Sequence, residues 1–134
     1  MADIIAIEGI GEVYRAKLQE VDIRTTEALL AKAATPEGRK KLEELTGISG
    51  VLILKWANRA DLFRIKGVGE EYSDLLEAAG VDTVPELAQR NPDNLYRALV
   101  ETNAAKELVR HLPGREQVAD WVAQAKELPR VLTY

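Results

Sequence analysis

Cysteine is absent from this chain of 134 residues, and its one methionine is the first residue. The absence of cysteine excludes disulfides, thiol nucleophiles, iron–sulfur clusters and zinc sites with thiolate ligands. His111 is the only histidine, so no second imidazole is present to share a transition metal. We therefore expect no catalytic site, no metal and no cofactor, and we place His111 on the surface near the end of a helix.

No apolar run comes close to the roughly 18 residues that a membrane-spanning helix requires. Residues 1–5 also lack the basic segment followed by an apolar segment that marks a secretory signal. Neither a Walker phosphate loop nor a dinucleotide-binding glycine fingerprint occurs in the sequence. We thus expect a cytoplasmic protein that is not an enzyme and has neither a membrane nor a small-molecule substrate as its partner.

Basic residues are scarcer than acidic ones, 18 against 22, which gives a net charge of −4. A nucleic-acid-binding protein usually has a basic face. Only residues 36–66 have a positive balance, with seven basic and four acidic side chains. Four of these cations form a candidate basic patch in the middle of the chain: Lys55, Arg59, Arg64 and Lys66. A solvated helix face that pairs with neighbouring acids is the alternative interpretation.

The chain contains the same short glycine pattern twice, at residues 7–11 and again at residues 65–69. The first copy reads Ile-Glu-Gly-Ile-Gly and the second Ile-Lys-Gly-Val-Gly, and a tyrosine follows three residues after each. Two glycines around one aliphatic residue are typical of a sharp turn between two helices. At an offset of 58 residues (65 − 7), the match continues beyond the turn and pairs Leu18 with Leu76. We interpret the chain as an internal duplication.

Apolar residues recur every three to four positions and nowhere alternate, so the sequence predicts an all-α fold. Recurrent glycine, proline and capping residues predict many short helices of about 7 to 15 residues. Residues 35–36 and 91–92 each have the form of an N-cap followed by proline. We expect a compact fold of two fused units, at residues 1–63 and 64–134, with an apolar C-terminal tail that docks in extended form.

A weaker copy of the glycine turn occurs inside the first unit, at residues 45–49. The matching stretch of the second unit, residues 99–104, contains no glycine. We therefore expect the fourth turn to be degenerate or absent, and we assign it no binding role. Trp56 and Trp121 stand at equivalent places on apolar helices and are predicted to be core residues.

Gly9-Ile10-Gly11 followed by Leu18, and Gly67-Val68-Gly69 followed by Leu76, resemble the helix-hairpin-helix motif. Over nearly its whole length the chain is similar to a family of small stand-alone proteins with tandem helix-hairpin-helix units, whose function is not assigned. Proteins with this motif commonly hold DNA without reading its sequence, because their hairpin amides contact backbone phosphates. The resemblance implies that the contacts here come from the backbone of Gly9, Ile10, Gly11, Gly67, Val68 and Gly69.

Arg15 and Lys17 follow the first turn closely and are candidates for further phosphate contacts. The motif typically has Lys or Arg in the first helical turn after the hairpin, whereas this chain has acids there: Glu12, Glu70 and Glu71. Acids at a helix N-terminus interact favourably with the helix dipole and can cap the same amides that a phosphate would contact. The alternative to DNA binding is therefore a protein–protein interaction adaptor in which the hairpins are purely structural.

Overall fold

The computed structural model describes residues 2–134, and its regular structure there is helical apart from one isolated β-bridge, Asp3–Thr25. A short 3-10 helix, Ile4–Ala6, precedes eight α-helices. These are α1 (Glu12–Gln19), α2 (Thr26–Lys32), α3 (Pro36–Thr46), α4 (Gly50–Leu62), α5 (Glu70–Ala78), α6 (Val84–Ala88), α7 (Pro92–Lys106) and α8 (Arg115–Glu127). The all-α prediction is confirmed. None of the helices described has the length and apolar character to cross a membrane.

Side-chain caps explain where four of the helices begin. In each, an extended residue precedes the helix, and its side-chain oxygen accepts a hydrogen bond from a backbone N–H of the first turn. The capping residues are Thr25, Thr35, Thr83 and Asn91, with donor–acceptor distances of 3.1 to 3.4 Å. The caps Thr83 and Asn91 lie close together in the sequence, and α6 between them has only five residues. This helix is shorter than the predicted minimum of about 7 residues.

The helices form two compact units. The first contains the chain up to Asp61 together with Arg130–Tyr134, and the second contains Leu62–Pro129. Each unit buries one tryptophan in its own core, and both Trp56 and Trp121 are only 1% exposed. The predicted core positions of the two tryptophans are confirmed. In the second unit, α8 packs against α6 and α7, and α7 packs against α5.

The last five residues have no regular secondary structure. They belong to the first unit, whereas a boundary after residue 63 assigns them to the second. The Thr133 N–H donates to the Ala34 carbonyl at 2.8 Å, and Arg39 Nη2 donates to the Thr133 carbonyl at 2.7 Å. Leu132 is buried. The tail is therefore an integral part of the first unit, which is discontinuous in sequence.

The chain makes a fourth turn, but not at the place that the sequence alignment indicates. Residues 99–104 lie inside α7, and the turn begins at Glu107, whose backbone is left-handed (φ 50°). The Asn103 side chain holds this turn, since it accepts from the Val109 N–H at 2.9 Å and donates to the Val109 carbonyl at 3.1 Å. Glu107 thus takes the conformation that Gly47 takes at the end of α3.

Candidate nucleic-acid interface

The first glycine turn, residues 7–11, leads from the 3-10 helix into α1. Gly9 has a left-handed backbone (φ 95°), and the Ile10 N–H donates to the Ile7 carbonyl at 3.1 Å. The Ile10 side chain is buried and anchors the turn. Gly11 is extended (φ −91°, ψ −170°) and immediately precedes α1. Because both glycines are exposed, the turn presents their backbone to solvent, next to the exposed side chain of Glu8.

The second glycine turn, residues 65–69, has the same local backbone. Gly67 is left-handed (φ 96°), and the Val68 N–H donates to the Ile65 carbonyl at 3.1 Å. Val68 is buried, and Gly69 is extended (φ −114°, ψ −155°) before α5. The two turns therefore have the same conformation at positions 58 residues apart (65 − 7).

A tryptophan ring lies against each turn and leaves little room for a side chain there. A Cβ atom on Gly9 would lie 3.3 Å from Trp56 Nε1, and one on Gly67 would lie 3.1 Å from Trp121 Nε1. The tyrosine that follows each turn packs on the same ring, with centroids 5.1 Å apart in the first unit and 5.3 Å apart in the second. Both the left-handed backbone and the close approach of the ring require glycine.

The helices that follow the two turns begin without a side-chain cap. The N-cap is glycine in both, Gly11 and Gly69, so no cap side chain accepts from the first N–H groups. Among the described residues, the carboxylates of Glu12, Glu70 and Glu71 make no hydrogen bond to these amides, contrary to the capping that the sequence suggested. Free N–H groups at a helix N-terminus favour an anion. Each turn therefore retains donors for a phosphate oxygen.

Two cations follow the first turn on α1, with Lys17 in the last turn of the helix, and they differ in availability. Arg15 Nη2 donates to an Asp3 carboxylate oxygen at 2.7 Å, and its side chain is 31% exposed. The Ile5 N–H and then the Arg15 guanidinium lower the pKa of Asp3 below its usual value. Lys17 is exposed and has no carboxylate partner among the described residues. Lys17 is thus the readily available cation, whereas Arg15 is partly occupied.

The second turn is held by a side chain from α8. The Lys66 N–H donates to Gln124 Oε1 at 2.8 Å, and Gln124 Nε2 donates to the Lys66 carbonyl at 3.1 Å. Gln124 is itself fixed by Asp120, to which Nε2 donates at 2.8 Å. The exposed carboxylates of Glu70 and Glu71 follow the turn directly. The second turn is therefore well fixed but bordered by acids.

The cations of the predicted mid-chain patch are divided between the two units and differ in exposure. Lys55 is exposed on α4, but Arg59 is only 4% exposed and cannot present its guanidinium to a phosphate. Arg64 belongs to the second unit, where its Nη2 donates to the Pro129 carbonyl at 2.6 Å. Lys66, in the same unit, is exposed. Helical spacing predicts neighbours along α4 correctly, but it does not predict how deeply each side chain is buried.

Sequence reasoning missed two residues that shape the turns. Gln124 lies one helical turn after Trp121, and Asp3 caps the 3-10 helix by accepting from the Ile5 N–H at 3.0 Å. The capping signal of Asp3 can be read from sequence, whereas the contact between Gln124 and Lys66 depends on tertiary structure. Within residues 2–134 no cluster of three or more His, Asp or Glu side chains is placed to hold a metal ion.

Comparison with known proteins identifies a family. No curated protein and no solved structure matches the chain. A family model described as a domain of unknown function, DUF4332, matches residues 8–128. This range includes all eight described α-helices and nearly the whole of the first glycine turn. The chain therefore belongs to the DUF4332 family.

Proposed function

We propose that the chain is a duplicated helix-hairpin-helix protein that binds the backbone of DNA without reading its sequence. The first glycine turn is the binding element, with the amides of Gly9 and Gly11 and the uncapped amides at the start of α1 directed to phosphate oxygens. The Ile10 amide, which the resemblance also implies, instead donates to the Ile7 carbonyl within the turn. Lys17, in the last turn of α1, supplies a further positive charge, and Arg15 supplies a second one once a phosphate competes with Asp3. Contacts of this kind position a protein on nucleic acid but carry no sequence information.

The duplication is supported by backbone features that recur at the same offset. Beyond the shared turn conformation, the helix after each turn ends in the same way. The Ile23 N–H donates to the Leu18 carbonyl at 2.9 Å, and the Val81 N–H donates to the Leu76 carbonyl at 2.8 Å. The residue before the donor has a positive φ in both copies, 61° and 94°. Many unrelated helices end in this way, so the support for duplication comes from its recurrence at the same offset as the two glycine turns.

The observation that carries the binding proposal is the exposed, uncapped start of α1. Side chains cap four other helix starts, and Ser49 Oγ accepts from the Val51 N–H near the start of α4. The Gly11 position instead leaves its first-turn amides without a side-chain acceptor. Because the helix dipole adds a partial positive charge there, a phosphate oxygen is a suitable ligand.

In this proposal the second turn, although its backbone conformation is the same, has a structural role only. The first unit contains ten basic and ten acidic residues, whereas the second contains eight and twelve, so their net charges are 0 and −4. Two exposed acids, Glu70 and Glu71, would repel a phosphate at Gly69, whereas one exposed acid, Glu12, directly follows Gly11. Gly67, Val68 and Gly69 then preserve the turn without contributing to affinity.

The experiment is fluorescence anisotropy of labelled single- and double-stranded DNA, titrated with the full chain at two salt concentrations. Between about 50 and about 200 mM salt, affinity should fall about 3.5-fold for each phosphate contact. Lys17→Glu should weaken binding and reduce the salt slope by about one contact. Lys126→Glu is the matched control, since Lys17 and Lys126 are both exposed in the last turn of a helix. Absence of binding at the lower salt would refute the proposal.

One observation favours a second candidate, a protein-docking surface. Val13 is 69% exposed in the first turn of α1, directly beside the glycine turn. The equivalent position in the second unit is Glu71. A docking surface predicts that Val13→Glu abolishes capture of a protein partner while Lys17→Glu leaves that capture intact. DNA binding predicts that both changes weaken DNA affinity, because each adds negative charge next to the phosphate.

A further inference from the structure

The first unit contains a cavity of about 380 Å³ that the DNA-binding proposal does not use. None of its lining residues belongs to the glycine turn; they are Val21, Lys32, Gly38, Lys41, Leu42 and Leu45. Small-molecule sites in proteins typically have volumes of roughly 300 to 1,000 Å³ and mainly apolar walls with a few polar groups. The cavity has the size and the lining of such a site.

The apolar wall extends from the core to the surface. Leu42 is buried, whereas Leu45, one turn nearer the end of α3, is 59% exposed. Gly38 contributes a wall without a side chain, because a Cβ atom there would lie 2.3 Å from the Lys32 carbonyl oxygen. Glycine thus allows α3 to approach the end of α2 closely. An apolar ligand that covers Leu45 would remove this exposed side chain from water, which is favourable.

The charged side chains that line the cavity are both lysines. Lys32 Nζ donates to the Val21 carbonyl at 2.6 Å, which uses one of the three donors of its ammonium group. Lys41 is exposed, and neither lysine forms an ion pair with the described residues. None of the six lining residues is acidic. The lining therefore combines apolar side chains with two lysines that form no ion pair with the described residues.

We propose that this cavity binds a free medium-chain carboxylate, with its alkyl chain against Val21, Leu42 and Leu45 and its carboxylate at Lys32 and Lys41. The charge and the apolar lining together select this class. An uncharged alkyl compound leaves the ammonium groups unpaired, and a small inorganic anion leaves the apolar wall exposed. A hydrogen bond between an ammonium and a carboxylate is charge-assisted and stronger than a neutral one.

The test is a titration of the isotope-labelled full chain with octanoate, followed by amide NMR spectra. The expected result is saturable shifts of the Gly38, Leu42 and Leu45 amides with a Kd of about 1 mM, the affinity typical of so small a ligand. Octanol, which has the same chain length without the charge, should bind at least several-fold more weakly. Shifts confined to other regions, or no saturable shifts at all, would overturn the proposal.

Two charge reversals on the same helix separate a built site from general attraction to a basic surface. Lys41→Glu changes a lining residue, whereas Lys40→Glu makes the same change at an exposed neighbour that does not line the cavity. The proposal predicts that Lys41→Glu raises the octanoate Kd roughly tenfold or more, while Lys40→Glu has little effect. Equal weakening by the two variants would contradict it.

A membrane lipid is the other source of an alkyl chain with an anionic head. Vesicles containing phosphatidylglycerol, titrated with the same variants, distinguish this source from a free carboxylate. Binding to octanoate without Lys41-dependent binding to vesicles supports the proposal. Lys41-dependent binding to vesicles without binding to octanoate would identify a lipid surface as the ligand and overturn it.

Discussion

At the scale of single residues, the glycines of the first turn have different tasks. Gly9 has a left-handed backbone and contacts the Trp56 ring, so it maintains the turn. Gly11 has an extended backbone, and nothing lies within 4 Å of the position that its Cβ would occupy. A binding experiment that replaces Gly9 therefore tests folding as well as binding, whereas one that replaces Gly11 tests the amides.

The same substitution at these two glycines should have different effects on stability. Gly9→Ser should lower the free energy of unfolding by about 1 to 3 kcal/mol, because serine is strained at positive φ and its Cβ crowds Trp56. Gly11→Ser should be neutral or slightly stabilising, since serine is a good N-cap. Urea unfolding of both variants provides the comparison. Equal losses would mean that the turn conformation described here is wrong.

Asp3 gives the stability a dependence on pH. The pKa of Asp3 is lowered by the Ile5 N–H and by Arg15, so its carboxylate stabilises the folded state at pH values above its usual pKa of 3.8. That contribution is lost as the pH falls through the lowered pKa. Asp3→Asn should therefore lower the thermal midpoint at about pH 7, and the difference from the unchanged chain should shrink towards about pH 2. An equal difference at both pH values would exclude this ionic contribution.

At the scale of helices and turns, the sequence predicts where helices begin better than it predicts which residues are in contact in the folded chain. A capping side chain next to proline is a local signal that predicts Thr35 and Asn91 as N-caps, and both predictions are confirmed. The fourth turn could not be located from its missing glycine, because the Asn103 side chain stabilises a left-handed glutamate at position 107 instead. This conformation depends on the contact between the Asn103 side chain and the Val109 backbone, which no local sequence pattern reveals.

The docked tail should contribute measurably to the stability of the first unit. Leu132→Ala should lower the free energy of unfolding by about 2 to 4 kcal/mol, because a buried leucine leaves a cavity when it is truncated. Val131→Ala is the matched control and should cost less, since Val131 is only half-buried. Chemical unfolding monitored by Trp56 and Trp121 fluorescence would measure both. A negligible effect of Leu132→Ala would contradict the docking of the tail.

At the scale of the whole molecule, the sequence predicts the fold class and the two tryptophans of the core but only part of the candidate site. Arg59 follows Lys55 by one helical turn, and the sequence cannot show that one is buried and the other exposed. The sequence also does not show that Arg15 forms an ion pair with Asp3, because Asp3 precedes the 3-10 helix and lies outside α1. Periodicity determines which face a residue occupies, whereas burial and ion pairing depend on what packs against that face.

The charge of the whole chain makes the location of the binding site the central question. With a net charge of −4, the proposed affinity for DNA must come from a local arrangement of donors rather than from a broad basic surface. The proposed arrangement is the start of α1. A variant that blocks those donors without harming the fold tests this claim independently of lysine charge.

The most direct measurement compares the DNA affinity of Gly11→Asp with that of Gly69→Asp. Both positions have an extended N-cap backbone and space for a side chain, so aspartate should cap the helix and preserve the fold in each. The account predicts that Gly11→Asp reduces affinity at least tenfold at about 50 mM salt, while Gly69→Asp changes it little. Unchanged binding by Gly11→Asp, with both variants folded, would show that the first-turn amides do not contact DNA.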